Sequence, residues 1–225
     1  MKTVVLSAIL LIPSHPSFAQ SIVDGWIPLH TGNTWTYEHE SRDDTGRGIA
    51  NLEVRRWTTE ETIIGSWIVP EGTLIGLRVH KRLSPPGPIT IVEPDKAFLV
   101  QNDCLYTANV HWDPHQHQLT PSYRENLLAG RISPDFCFPL TAGKTWGAPH
   151  WTDWRPPSDA NDWRVRQTSY DTFQVRSVSS YLGSGESAEI WFTKGEGIIM
   201  GEHIHHGTIS EYRTHLRDFR AISQR

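Results

Sequence analysis

Histidine is the residue type whose count and spacing invite chemistry in this chain. Of its 12 histidines, most of those near a carboxylate fall in two short tracts: "HWDPHQH" (111–117), with Asp113, and "EHIHHG" (202–207), with Glu202. Neutral imidazole is a borderline ligand suited to zinc or copper, and a carboxylate can complete the set. On an extended strand His203 and His205 project to one face, as do His115 and His117, so each pair can hold one ion. Neither tract is the helical His-Glu-x-x-His of metalloproteases. Solvated histidines in polar loops and on edge strands are the commoner outcome for such tracts. The candidate metal ligands are therefore His111, His115, His117, His203 and His205, with zinc or copper as the cofactor and a metal-dependent hydrolase as the matching function.

Other reactive constellations are thin. The serine of "GSGES" (183–187) sits in a glycine turn, not on the strand-to-helix bend of a hydrolase nucleophile. Glu60 and Glu61 are neighbours, so on a strand they point to opposite faces and cannot flank one substrate. A glycine-rich phosphate cradle is missing. The tract "HWTDWRPPSDANDWR" (150–164) gathers Asp153, Asp159 and Asp162 with Trp151, Trp154 and Trp163. Those types can coordinate calcium or stack on sugars, but the spacing fits no EF-hand loop and reads as a solvated connection. Enzymatic activity has little support.

Tryptophan is the better lead. Ten indoles exceed what a core of this size ordinarily takes. A curved sheet carrying Trp35, Trp57, Trp67, Trp146 and Trp191 would present an apolar concavity, and these five are the candidate ligand-binding residues. Cys104 and Cys137 are the only cysteines. In an exported chain such a pair reads as a disulfide, worth roughly 3 to 4 kcal/mol for a loop of about 33 residues.

The elements that must position these residues are strands. "TWTYEHES" (34–41) and "ANLEVRRW" (50–57) flank the turn-rich "RDDTGRG", as a hairpin requires. "TIIGSWIV" (62–69), "PEG" and "TLIGLRVHKRL" (73–83) read as strand, turn, strand. After the breaker "SPPGP" come short strands at "ITIVE" (89–93), "AFLVQ" (97–101) and "CLYTANV" (104–110). Only "PSYRENLLAG" (121–130) looks helical, with Ser122 as cap, Glu125 three residues later and Gly130 as stop. "DTFQVRSVSS" (171–180), "SAEIWFTKG" (187–195), "GIIMGEHIHH" (197–206) and "TISEYRTHLRDF" (208–219) then form a four-stranded meander.

"MKTVVLSAILLIPSHPSFAQ" has the basic start, short apolar run and small-residue end of a signal peptide, 1–19, leaving a single β-rich domain, 20–225. No second apolar run is long enough to span a bilayer, so no transmembrane span is expected. A formal net charge of -4 argues against nucleic acid, whose phosphates demand excess Lys and Arg.

The phrase "IPLHTGNTWTY" (27–37) returns as "FPLTAGKTW" (138–146). Each copy has the parts of a strand entry: proline fixes the approach, leucine anchors, glycine turns and tryptophan opens the strand. Together with "EIWFTKGEGIIMGE" (189–202), these tracts resemble uncharacterised secreted bacterial proteins that carry PLxxGxxWxY and WFxxGxG motifs. Lys194 and Glu196 depart from that pattern. The resemblance implies a curved antiparallel sheet, loosely similar to periplasmic lipoprotein-carrier folds, and brings no activity with it.

The expectation is a mainly β protein: a curved antiparallel sheet or open half-barrel meander built from two related halves, 26–110 and 137–220, with one short helix near 122–129. Its expected role is that of an exported, non-enzymatic envelope or periplasmic protein. It would bind a small apolar or amphipathic ligand, or an envelope protein, on its tryptophan-rich sheet. The metal-dependent hydrolase and a structural interaction module are the alternatives, and residence is periplasmic or extracellular.

Overall fold

The computed structural model describes residues 22–44, 52–83, 90–147, 162–181, 184–205 and 210–222. The expected signal peptide and residues 148–161 of the aspartate- and tryptophan-rich connection lie outside them. Strands β1 (Thr34–Asp44), β2 (Leu52–Val69), β3 (Gly72–Leu83), β4 (Thr90–Gln101) and β5 (Cys104–Thr107) form an antiparallel meander. A small hairpin of β6 (Trp112–Asp113) and β7 (Gln118–Leu119) follows, then helix α1 (Pro121–Leu128). β8 (Phe136–Cys137) returns to pair with β5. β9 (Thr145–Gly147), β10 (Asp162–Gln167), β11 (Thr172–Tyr181), β12 (Ser184–Thr193), β13 (Gly197–His205) and β14 (Ser210–Arg220) make a second meander. The two join through β1 and β14 into one 12-stranded sheet with β8 and β9 as its edges.

That connectivity forces curvature. Laid flat, 12 strands would span roughly 50 Å at the ordinary strand spacing. The edge strands β8 and β9 are joined only by residues 138–144, a link that reaches under about 30 Å. The sheet therefore curls until its edges meet and is nearly closed as a barrel. Side chains complete the seam: Phe136 packs edge-on against Phe192 with ring centroids 4.8 Å apart, and Trp146 Nε1 donates to the Asp135 carbonyl at 3.3 Å.

Alternation along the strands then separates two environments. On β1, Trp35 and Tyr37 are buried, while Glu38, Glu40 and Arg42 face the other way. The outward residues of β14, β1 and β2 form cross-strand ion pairs, among them Arg217–Glu38 at 2.5 Å, Arg56–Glu40 at 2.7 Å and Arg220–Glu60 at 2.8 Å. Such a face is built for water, not for lipid tails. The convex side of β3 and β4 is covered instead: Leu74, Ala97 and Leu99 are buried beneath Trp112, Leu119, Tyr123 and Leu127 of the hairpin and α1.

The repeated phrase folds into the same device twice. In the first copy Asn33 N–H donates to His30 at 3.0 Å, Gly32 takes φ 91°, Gly32 N–H reaches the Ile63 carbonyl at 2.7 Å, and Ile63 N–H reaches Asn33 at 3.0 Å. In the second, Lys144 N–H donates to Thr141 at 3.0 Å, Gly143 takes φ 84°, Gly143 N–H reaches Val165 at 2.9 Å, and Val165 N–H reaches Lys144 at 3.0 Å. Each tight turn clips a new strand onto the next one. The first copy leads into β1 (Thr34–Asp44) and the second into β9 (Thr145–Gly147).

Three expectations about elements are corrected. Where two strands, 50–57 and 62–69, are expected, β2 runs unbroken from Leu52 to Val69, because Thr58, Thr59 and Thr62 suit the sheet and the irregularity at Ile63/Gly65 absorbs the bend. Where 89–93 and 97–101 are expected, β4 likewise runs unbroken from Thr90 to Gln101, with an irregularity in its pairing between Leu77 and Val79. Helix α1 starts at Pro121, with Thr120 and not Ser122 in the cap position and no capping side-chain bond; proline at the first turn presets the helical φ instead.

Candidate functional site

The curled sheet holds a half-open cavity of about 370 Å³ against its concave face. Both meanders supply its walls. Ile27 and Leu29 enter from the segment before β1, Trp35 and Tyr37 from β1, Leu77 from β3, Phe98 from β4 and Leu105 from β5. Phe136, Trp163, Ile190 and Ile198 come from β8, β10, β12 and β13. Several of these wall residues, among them Ile27, Phe98 and Ile198, pack against a buried cluster that includes Val23, Trp26, Phe138, Val175 and Phe192. Trp35 is held by two contacts: its ring stacks on Phe219 at 5.2 Å, and its Nε1 donates to the Glu196 carbonyl at 2.7 Å.

Five polar residues break the apolar wall: Glu61, Lys96, Thr107, Asn109 and Asp135. The Lys96 ammonium meets the Glu61 carboxylate at 2.9 Å across the face of β3. Asp135 accepts the Thr107 N–H at 2.5 Å, and its burial pushes its carboxyl above the ordinary range. Burial, reinforced by the Glu61 charge, likewise raises the Tyr37 phenol, which stays neutral.

Beyond this cavity the concave face carries a stacked aromatic group. His39 lies between Trp57, 5.2 Å away at 14°, and Tyr212, 5.8 Å away at 25°. Its Nε2 bonds Thr59 Oγ1 at 2.8 Å, while Nδ1 contacts Tyr212 OH at 2.6 Å and Thr214 Oγ1. Burial, then the charges of Lys96 and Lys81, lower its pKa to about 4, so the ring is neutral at pH 7. Lys81 Nζ stands 4.8 Å over the Trp57 ring.

The five candidate tryptophans do not share one face. Trp35 lines the cavity, Trp57 lies on the aromatic group and Trp146 packs at the seam. Trp67 is on the convex side under the hairpin, against Trp112 and His117. Trp191 lies between the inward Ile190 and Phe192 and so points outward. Strand register decides this, and residue type does not.

The candidate metal residues are spread in the same way. His111 stacks on Tyr123 of α1 at 5.1 Å, and His117 on Trp67 at 4.1 Å. Asp113 spends an oxygen on the N–H groups of His115 and Gln116, at 2.8 and 3.1 Å, closing the hairpin turn. His203 is exposed on β13 opposite Tyr212, and the side chain of His205 lies outside the described residues. Among the described residues, no three His, Cys, Asp or Glu side chains are grouped to hold a metal ion. Cys104 and Cys137 are bonded and tie β5 to β8 beside the cavity.

Lys96, Asp135, Phe98 and Ile198 are not candidates from the sequence, and Glu61 is weighed there only with Glu60 as a carboxylate pair. Alternation offered a signal for Glu61, which shares a face of β2 with the buried Ile63; a carboxylate in such a place needs a partner.

No family model and no curated protein matches the chain. Among solved structures it is similar to a presumed lipoprotein from Parabacteroides distasonis, at 10% identity over 86% of this chain and 97% of that one, TM-score 0.40. A presumed exported protein with a YmcC-like fold from Bacteroides fragilis shares 8% identity over 87% and 99%, TM-score 0.41. Lipovitellin shares 11% identity over 88% of this chain and 26% of its own, TM-score 0.42. Likeness this distant carries no functional assignment.

Proposed function

We propose that this chain is an exported, non-enzymatic binding protein that takes an apolar or amphipathic ligand into the cavity of its curled sheet. The observation that carries the reading is the half-open space of about 370 Å³, walled by Trp35, Phe98, Phe136, Trp163, Ile190 and Ile198. Its size falls within the about 300–1,000 Å³ of ligand pockets, and its mix of apolar wall and few polar groups is the usual one. Export is supported by the signal-peptide pattern of 1–19 and by the Cys104–Cys137 disulfide, which belongs to an oxidising compartment. The periplasm or envelope is the proposed site of action.

Titration with the neutral apolar dye N-phenylnaphthylamine tests the reading. One dye per chain should bind with enhanced emission, and Ile198→Trp, which fills the cavity, should abolish binding while the variant still melts cooperatively. Dye binding that survives Ile198→Trp unchanged would place the ligand elsewhere and reject the proposal.

A further inference from the structure

The polar groups of the cavity are unequal in charge, and the inequality bears on the ligand. Its wall holds two carboxyls, Glu61 and Asp135, against one ammonium, Lys96. That ammonium is engaged at 2.9 Å by Glu61, with the carboxylate side chain only 16% exposed. The next cation on the same face, Lys81, lies over the Trp57 ring at 4.8 Å, outside the cavity wall. His39, between the two, is stacked and hydrogen-bonded as a neutral ring.

An anionic head entering here must compete with Glu61 for Lys96 and meet Asp135 as well. Like charges at partly buried positions on an apolar wall repel more than in bulk water, and a broken pair leaves a carboxylate without its partner. An uncharged hydroxyl or amide head avoids both costs. It accepts from Lys96, Thr107 or Asn109 and donates to a carboxyl oxygen, while the tail lies along Phe98, Ile190 and Ile198.

Resting on the ligand-binding reading above, we propose that the cavity selects amphipaths with uncharged, hydrogen-bonding heads, of the monoacylglycerol or fatty-alcohol class, over carboxylate or phosphate amphipaths of equal chain length. The same arrangement makes Glu61 the residue that excludes anions. Among the described residues of the wall Lys96 is the one cation, and Glu61 holds it at 2.9 Å, so neutralising Glu61 removes the carboxylate with which an anionic head must compete.

Displacement of N-phenylnaphthylamine by monolaurin and by laurate, at neutral pH and below their aggregation limits, tests this. Monolaurin should compete about tenfold more tightly than laurate. Glu61→Gln, a near-isostere, should raise laurate affinity about tenfold and leave monolaurin within about twofold. Laurate that matches or exceeds monolaurin on the wild-type chain would overturn the selectivity while leaving the binding function standing. Dye binding with displacement by neither amphipath would overturn the proposed ligand class, whereas dye binding untouched by Ile198→Trp overturns the binding reading itself. The wild-type comparison is decisive even if Glu61→Gln proves poorly folded.

Discussion

The indole N–H of Trp35 donates to the backbone carbonyl of Glu196 at 2.7 Å, joining the first strand of one meander to the β12–β13 turn of the other. The two residues are 161 positions apart, and no main-chain ladder connects β1 to that turn. A single side chain therefore fastens the curled sheet across its concave side while forming part of the cavity wall.

Trp35→Phe keeps an aromatic ring but orphans the Glu196 carbonyl, at an expected cost of about 1–3 kcal/mol. Trp35→Ala, which also empties a nearly buried site, should cost about 3–5 kcal/mol. Urea unfolding monitored by far-UV circular dichroism gives both values. A Trp35→Phe cost indistinguishable from zero would show that the latch contributes nothing to stability.

Cys104 and Cys137 close a loop of 33 residues between β5 and β8. Loop-closure entropy gives the bond about 3–4 kcal/mol, less any offset from structure in the reduced, unfolded chain. The Cys104→Ala/Cys137→Ala double variant should unfold at correspondingly lower denaturant, and added reductant should lower the wild-type midpoint but not that of the double variant.

His39 gives the stability a defined pH window. Its pKa falls from 6.5 to about 4 on folding, so between those values the unfolded chain binds more protons. Stability is retained above pH 6.5 and lost as pH falls toward 4, by up to about 3 kcal/mol. Comparing midpoints of wild type and His39→Gln from pH 8 to pH 4 isolates the effect. The wild-type curve should drop more steeply between pH 6.5 and 4; parallel curves would remove His39 from the account.

Two glycines with positive φ should behave differently. A Cβ at Gly72, φ 152°, would collide with the Val100 carbonyl oxygen on the neighbouring strand, whereas one at Gly195, φ 84°, meets nothing within 4 Å. Gly72→Ala therefore forces backbone apart and should cost several kcal/mol, while Gly195→Ala carries only the conformational strain of about 1 kcal/mol. Equal costs in thermal unfolding would contradict the steric argument.

The strand-rich class, the antiparallel order of β11 to β14 and the short helix were legible because alternation and turn residues are local signals. The phrases around Gly32 and Gly143 also delivered what their residue types implied, a turn that clips a strand. The candidate site was legible only in part. Trp35 lies on the cavity wall as expected, but Trp67 and Trp191, equally conspicuous as letters, point to the other side. The histidine tracts raised a metal reading; in the fold the His117 ring stacks on Trp67 and the His111 ring on Tyr123.

What the sequence determined by itself is what short-range physics controls: which segments extend and where they turn. Only the tertiary structure decided which face is concave, that the edges β8 and β9 come near each other, that Cys104 and Cys137 bond, and that Glu61, Lys96 and Asp135 share one cavity. These outcomes depend on register and on contacts between distant residues. A one-residue slip moves every side chain of a strand to the opposite face, so residue type alone cannot assign an indole or a carboxylate to the cavity.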